Sequence, residues 1–316
     1  MKKRILSLVM TACMAVTLFA GCGGSNEAAN PEKLVFTYVT APLNVPTIID
    51  KEKGMFAEKF EEMGIEVEYA ELTSGADQTQ ALASGDVQVL YAVGASSVIL
   101  SAANDADIKI LNMYSRSPKA FCMYAKDDTL TTPESLRGKT IAGPAGTNLH
   151  ELLVAYLATA DMTIEDVNYI SMTIPDAKAA LDGGSIDVGL LAGATAYQAT
   201  QQGYHLVADG EGLINAIIAV AVTDEFYNKY PDVIAALMQT QEEIAKFMQE
   251  NEEEALEMVA DTLDLEVEAV REMYQYYDFS LELTEADKAG FQKTADFMYE
   301  SGMIEQALDV DVLFYE

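Results

Sequence analysis

Few residues in this chain are equipped for covalent chemistry. Three cysteines (Cys13, Cys22, Cys122) and two histidines (His150, His205) stand among 316 residues. An enzyme would have to use Cys122 with His150 or His205, the thiol attacking while the imidazole takes its proton. Cys122 lies inside the apolar run Ala120–Tyr124, where a thiol is ordinarily inert packing. No Gly-x-Ser-x-Gly elbow, P-loop or Gly-x-Gly-x-x-Gly occurs. The Cys and His content does not supply a zinc set, and Asp309 with Asp311 lacks the other ligands of a calcium loop. The sequence therefore predicts neither metal nor cofactor. Hydroxyl, amide and glycine residues at strand-to-helix turns offer a second, non-covalent chemistry. Helix starts present free N–H groups and a positive partial charge to a bound solute.

The elements that position these turns follow from the hydrophobic pattern. Strands are predicted at Leu34–Val39, Val67–Leu72, Val87–Val93, Ile108–Tyr114, Ala120–Tyr124, Thr140–Ala142, Val167–Met172, Val188–Ala192, His205–Ala208 and Ile214–Val222. Amphipathic segments alternate with many of them, which predicts an α/β fold with largely parallel sheets. From Asp224 to about Ile304 the pattern is helical, with Ile234, Leu237, Met238, Ile244, Phe247 and Met248 on one face. Thr284-Glu285 opens a further helix carrying Phe291, Ala295, Phe297 and Met298, stopped near Gly302.

A repeat is set into this pattern. Ala81–Gly85 aligns with Ala180–Gly184 at an offset of 99, and the same offset brings Val89 to Val188 and Gly94-Ala95-Ser96 to Gly193-Ala194-Thr195. Each copy reads helix, Gly stop, apolar strand, Gly-Ala-hydroxyl, helix. Gly85 and Gly184 suit the left-handed residue that ends a helix. Ser96 and Thr195 suit the N-cap of the next. Two similar α/β lobes are the simplest account.

Charge and composition narrow the function. Nineteen Lys+Arg against 51 Asp+Glu give −32, and half of the residues are hydrophobic. A packed core is assured, and a nucleic-acid binder, which needs a basic face, is excluded. Lys2, Lys3 and Arg4 precede an uncharged run, Ile5 to Ala20, too short for a membrane span and suited to a signal peptide. The run ends Leu18-Phe19-Ala20-Gly21-Cys22, which resembles the lipobox of bacterial lipoproteins, although Phe19 stands where an aliphatic residue is usual. That resemblance implies cleavage before Cys22 and a diacylglycerol on its thiol. Residues 1–21 are then a signal peptide, and 22–32 a small polar tether from membrane to domain. Losing three cations leaves 16 − 51 = −35 on the mature chain.

Five further stretches carry a wider resemblance. They are Ile48–Phe56 (IIDKEKGMF), Thr73–Val87 (TSGADQTQALASGDV), Glu134–Ala142 (ESLRGKTIA), Asp176–Val188 (DAKAALDGGSIDV) and Asp224–Asp232 (DEFYNKYPD). In this order, from Leu34 to Ile304, the chain resembles solute-binding proteins of bacterial ABC importers. The particular family takes up nitrate, taurine, aliphatic sulfonates and the pyrimidine precursor of thiamine. The resemblance implies a periplasmic-binding-protein type II fold, two α/β lobes joined by two hinge strands with a helical C-terminal segment on lobe one. Lobe one is expected at 33–124 plus 223–316 and lobe two at 125–222, with crossings near Met123–Lys126 and Ala219–Thr223. It implies a monomer, lipid-anchored on the extracytoplasmic face, that passes a small solute to an ABC permease and its ATPase. A secreted enzyme using Cys122 and His150, or a sensory binding domain, are the other readings.

Turns and resemblance together nominate the ligand-binding residues. Lobe one contributes Thr40, Leu43 and Asn44, then Ser74 and Gln78, then Gly94, Ala95 and Ser96, with Tyr114 and Ser115 after the run Ile108–Met113. Lobe two contributes Gly146, Thr147 and Asn148, then Thr173, then Ala194 and Thr195. Sulfonate and pyrimidine binders of the family often use a Trp, which this chain lacks; Tyr38, Tyr91 and Tyr114 are the aromatic substitutes, and Arg116 is the Arg near a cleft turn. A neutral or heteroaromatic solute is as well suited as a sulfonate.

Overall fold

The computed structural model describes residues 30–72 and 74–315. The signal peptide, Cys22 and most of the tether lie outside the described residues. The ten expected strands all form, as β1 (Lys33–Tyr38), β2 (Glu66–Glu71), β3 (Leu90–Gly94), β4 (Lys109–Arg116), β5 (Phe121–Ala125), β6 (Thr140–Gly143), β7 (Asn168–Ser171), β8 (Val188–Ala192), β9 (His205–Asp209) and β10 (Ile217–Val222). Central strands read as unbroken apolar runs because both of their faces are covered: β8 (VGLLA) and β10 (IIAVAV) are buried throughout.

The strands make two sheets of one topology. In the second, the order is β7-β6-β8-β5-β9. There β6 runs parallel to β7 and β8, and β5 antiparallel to β8 and β9. In the first, β1 runs parallel to β2, and β10 lies antiparallel between β3 and β4. A parallel bridge, Phe36 to Val89, and the Thr37 hydroxyl, which exchanges hydrogen bonds with the Tyr91 main chain at 2.8 and 3.1 Å, join β1 to β3. Both sheets thus read second, first, third, antiparallel, fourth.

Eight-residue and longer helices connect them: α1 (Val45–Lys53), α3 (Gly75–Ser84), α4 (Ala95–Ala102), α5 (Asn148–Ala158), α6 (Ile174–Gly183) and α7 (Ala194–Gln201), with a shorter α2 (Met55–Glu61). The repeat is visible in them. Ser74 and Thr173, 99 residues apart, are N-caps accepting from Asp77 and Asp176 N–H groups at 3.1 and 3.3 Å. Gly85 and Gly184 end the same helices at φ 80° and 70°. Ser96 and Thr195 are not caps: Gly94 and Gly193 hold that position, and both hydroxyls sit two residues further in. Thr195 accordingly donates to the Ala192 carbonyl at 2.9 Å instead of receiving an N–H.

The chain changes sheet earlier than the resemblance implied. Met123–Ala125 falls on β5 and Lys126 just past it; the strand is bonded on both sides within the second sheet, so the first crossing is at 117–120. The return is at 210–216, because β10 already belongs to the first sheet from Ile217. The two crossings run side by side, with Ser117 N–H donating to the Ala216 carbonyl and Gly210 N–H to that of Phe121, at 3.3 and 3.0 Å. The expected lobe boundaries at 124/125 and 222/223 therefore shift by one strand each.

The C-terminal helices α8 (Asp224–Lys229), α9 (Pro231–Glu250), α10 (Glu252–Leu263), α11 (Val267–Tyr274) and α12 (Glu285–Glu300) pack on lobe one, α9 and α10 against α1 and α12 against α4. Met238 is an exception to the apolar face of α9 and is exposed. Thr284 caps α12 through a reciprocal pair with Asp287. The main core is continuous through both lobes, from Phe36, Phe56 and Tyr91 to Leu153, Val188 and Leu190. Separate clusters cover the outer faces, Val93, Ile99 and Phe291 in lobe one and Leu181, Leu191 and Ala199 in lobe two.

Candidate functional site

Five helix starts from the two lobes converge on one cavity. It is lined by Asn44 at the start of α1, Gly75 and Gln78 of α3, Gly94 before α4, Thr147 and Asn148 at the start of α5, and Ile174 of α6. Helices that follow parallel strands all begin at the carboxyl edge of their sheet, so two sheets set edge to edge aim their helix starts at each other. Each contributes unpaired N–H groups and a partial positive charge. No charged side chain lines the cavity; the remaining walls include Pro42, Phe121, Pro144 and Ile218. Its volume is about 70 Å3, the lobes being closed on one another.

The closure is made by hydrogen bonds between α4 and α5. Ser97 Oγ donates to the Gly146 carbonyl at 2.7 Å. Ser96 Oγ lies 2.9 Å from Asn148 Oδ1 and also bonds the Glu151 carboxyl group. Thr294 donates to the other Glu151 oxygen at 3.1 Å, and Asn148 Nδ2 to the Ile217 carbonyl at 3.4 Å. Ser96 has one proton and two acceptors facing it. Burial raises the Glu151 pKa above its ordinary value. With Glu151 protonated every group is satisfied: Glu151 donates to Ser96, Ser96 to Asn148, and Asn148 to Ile217.

The structure separates the nominated residues into three groups. Asn44, Gln78, Gly94, Thr147 and Asn148 line the cavity. Asn44 Nδ2 is held by the Val39 and Ala41 carbonyls at 2.9 and 3.1 Å, and Gln78 Nε2 by that of Leu72 at 2.8 Å, so each side chain is fixed in place. Ser96 and Gly146 stand one layer behind, in the bonds that join the lobes. The others lie elsewhere. Leu43, Ala95 and Tyr114 are core residues, Tyr114 OH bonding Thr47 Oγ1 at 2.8 Å and its ring meeting Tyr91 edge-on. Ser115 is buried on β4, Thr40 takes the Asn44 N–H on its carbonyl, Ser74 and Thr173 are caps, and Ala194 and Thr195 open α7. Tyr91 is buried core, and Tyr38 packs under Lys51, its ring centroid 3.7 Å from the ammonium. Arg116 does not face the cavity; it clasps Asp287 at 2.6 and 2.7 Å and the Ser280 and Glu282 carbonyls, tying β4 to α12.

Ser97 and Gly75 are the cavity residues that the pattern concealed. With α4 beginning at Ala95, the third residue of the helix faces lobe two, where the cap reading had pointed to Ser96. A Cβ on Gly75 would lie 1.9 Å from Ser97 Oγ, so the glycine makes room for that contact. The proposed catalytic pair is not assembled. Cys122 Sγ contacts the Lys119 carbonyl at 3.4 Å, and burial pushes its pKa up to about 12, far from a thiolate. His150 accepts the Gly146 N–H at 3.3 Å and stacks on Tyr169 at 4.8 Å, while burial lowers its pKa.

Two lobes of common topology, joined by paired crossings and facing helix start to helix start, define a solute-binding protein of the two-lobed periplasmic type. A family described as NMT1/THI5 like matches residues 42–255, and the chain belongs to it. It is 26% identical to a putative aliphatic sulfonates-binding protein of Bacillus subtilis, covering 98% of this chain and 93% of that one. It is 29% identical to the taurine-binding periplasmic protein of Escherichia coli over 55% of each. The alkanesulfonate-binding protein SsuA of Xanthomonas axonopodis pv. citri, solved bound to MOPS, superposes with a TM-score of 0.82 at 20% identity, covering 91% of this chain and 99% of that one.

Proposed function

We propose that this chain captures a small solute between its lobes and delivers it to the membrane permease of an ABC importer, without acting on it chemically. The observation that carries this reading is the convergence of helix starts from both lobes on one uncharged cavity. Such donors suit an oxyanion or another compact acceptor-rich group, and a sulfonate agrees with the names of the relatives. Opening and closing about the crossings at 117–120 and 210–216 admits the solute, and the closed form is what a permease would read. The raised thiol pKa of Cys122 and its distance in role from His150 speak against the enzyme.

The test is a thermal-shift panel of ethanesulfonate, taurine, nitrate and a thiamine-type pyrimidine, repeated on Asn148→Ala. One class should stabilise the protein selectively, and Asn148→Ala should weaken that class by about 1–3 kcal/mol. Stabilisation that is equal in wild type and variant removes the α5 start from the site. A flat panel removes this solute list. We further propose anchoring through an acylated Cys22, monomeric and on the outer face of the membrane. Among the described residues no helix is long and apolar enough to cross a membrane. Cys22→Ser should release the chain into the soluble fraction; a variant that stays with the membrane defeats the anchor.

A further inference from the structure

A second and larger chamber lies between the lobes, with a volume of about 290 Å3. Lobe two supplies β5, β9 and α7 to its walls, and lobe one supplies α11 and the segment after it. Four tyrosines face it: Tyr124 and Tyr197 from lobe two, Tyr276 and Tyr277 from lobe one. Three carboxylates also line it, Asp209, Glu211 and Glu272, against a single cation, Lys119, which is paired with Glu211 at 3.1 Å. Glu211, Glu272 and Tyr276 are exposed and mark the mouth, whereas Cys122, Tyr124 and Met273 are buried.

One residue lining this chamber carries a polar group without a partner. The Tyr277 hydroxyl is buried and makes no hydrogen bond among the described residues. Its neighbours do not compete for it: Tyr124 OH is engaged with Thr200 at 2.6 Å, and Cys122 with the Lys119 carbonyl. Buried hydroxyls are nearly always paired, so an orphan on a residue that lines a cavity points to an occupant with a polar atom of its own, reached by a small shift of the ring. Burial also keeps the phenol neutral, as a hydrogen-bond donor and acceptor.

We propose that this chamber binds a small organic ammonium ion bearing a hydroxyl or comparable polar group. Ring faces attract cations through their quadrupoles, most strongly where water is excluded. The excess of carboxylates adds to that attraction and repels anions. The chain's formal charge of −32 acts in the same direction at longer range, raising the local concentration of cations. A volume of 290 Å3 is about ten times the share of one water in the liquid, enough for an ion of several heavy atoms. The chamber is distinct from the helix-start cavity. Gly193, in the wall of the chamber, abuts the carbonyl of Pro42, in the wall of the cavity, and the contact separates them. The cavity favours acceptor-rich groups through N–H donors; the chamber favours a cation through rings and carboxylates.

Calorimetric titration of the full chain tests this, with choline and tetramethylammonium as the cationic probes and ethanesulfonate in parallel. Choline should bind more tightly than tetramethylammonium, because only choline carries a hydroxyl for Tyr277. Tyr277→Phe keeps the ring and should abolish that margin. Glu272→Gln, at an exposed position, should weaken both ammonium ions roughly fivefold and leave ethanesulfonate unchanged. Absence of heat from either ammonium ion up to about 10 mM overturns the proposal. So does loss of choline binding in Asn148→Ala with Tyr277→Phe and Glu272→Gln unaffected, which would put the cation in the other cavity. Ethanesulfonate binding that survives either result leaves the solute-binding reading of the helix starts standing.

Discussion

The two lobes share a plan inside and part company where they meet. Both sheets place an antiparallel strand between the third and fourth members, and each of those strands is the first that follows a crossing. Caps and helix stops keep the offset of 99 residues. The following helix starts keep it too but differ in backbone conformation. Gly94 has the ordinary extended values φ −68° and ψ 143°, whereas Gly193 has φ 56° and ψ −131°. Gly94 faces Asn148 of lobe two, and Gly193 faces the main chain of Pro42 in lobe one. Local folding rules act within a lobe and preserve its plan. The facing surfaces answer to each other, and their asymmetry makes two unlike cavities.

Replacing these two glycines by alanine gives the sharpest test of that asymmetry. A Cβ on Gly193 would lie 1.4 Å from the Pro42 carbonyl oxygen, on a backbone conformation that side chains rarely adopt. The strained backbone and the overlap together should cost about 3 kcal/mol or more, since every atom met is Pro42 main chain and none is a flexible side-chain end. The lobes should spread to relieve it, raising the radius of gyration in solution scattering. On Gly94 the same methyl would meet Asn148 Oδ1 at 3.1 Å, which asks that hydrogen-bonded side chain to shift by only a few tenths of an ångström, so the cost should stay at about 1 kcal/mol. Equal effects at the two positions would show that the lobes meet symmetrically and break the comparison.

Each lobe also buries one carboxylate in the helix after its first strand, with opposite connections. Asp50 of α1 is satisfied inside lobe one, by the Phe56 N–H at 2.8 Å and by Tyr69 OH. Glu151 of α5 is satisfied across the interface, by Ser96 and Thr294. Burial raises the Asp50 pKa from 3.8 to about 6 and raises that of Glu151. For an acid raised on folding, the native state binds the extra proton. Its favourable contribution is therefore complete below the unfolded pKa and is lost as pH rises through the folded one. For Asp50 the window is pH 4 to 6, and the stability lost across it is about 3 kcal/mol, absent in Asp50→Asn. Ionising Glu151 has the same sign but places charge between α4 and α5. Rising pH should expand the molecule in scattering, and Glu151→Gln should cancel that expansion while Asp50→Asn does not. Cancellation by Asp50→Asn would place the pH response within the lobe.

The strands were legible because β8, β10 and their neighbours are short apolar runs closed by turns, and the repeat was legible because Gly85 and Gly184 carry a backbone requirement. Helix starts at Asn44, Thr147 and Asn148 followed from the same reasoning and do line the cavity. Others did not, for two reasons. Tyr114 and Leu43 occupy turn-adjacent positions whose side chains point into the core, and a one-dimensional pattern does not distinguish the two sides of a turn. Ser97, Pro42 and Gly193 matter through contacts with the opposite lobe, and nothing within one lobe's sequence encodes its partner's surface. The crossings were misplaced by one strand because β5 and β10 pair antiparallel with strands that come later or much earlier in the chain. Residues 272–277 read as packing in the sequence, since tyrosine and methionine on C-terminal helices are indistinguishable from core until lobe two is set opposite them.

The smallest expected effect tests the shared plan itself. Ser74 and Thr173 each accept the N–H of the third helical residue, an aspartate in both copies, and each stands at the start of a ten-residue helix. Neither lines the helix-start cavity, although Gly75 and Ile174 beside them do. If they are caps, alanine at either should cost about 1 kcal/mol in urea unfolding, nearly equal between lobes, with solute affinity unchanged. If either hydroxyl instead binds solute, its alanine variant should lose affinity with stability nearly intact, and the two lobes would no longer match at that residue. Thr173 also donates to the Asp176 carboxylate at 2.8 Å, a second bond that has no counterpart at Ser74. The lobe-two variant should therefore be the more destabilised of the pair by a few tenths of a kcal/mol, in the order a duplicated cap with one added hydrogen bond requires.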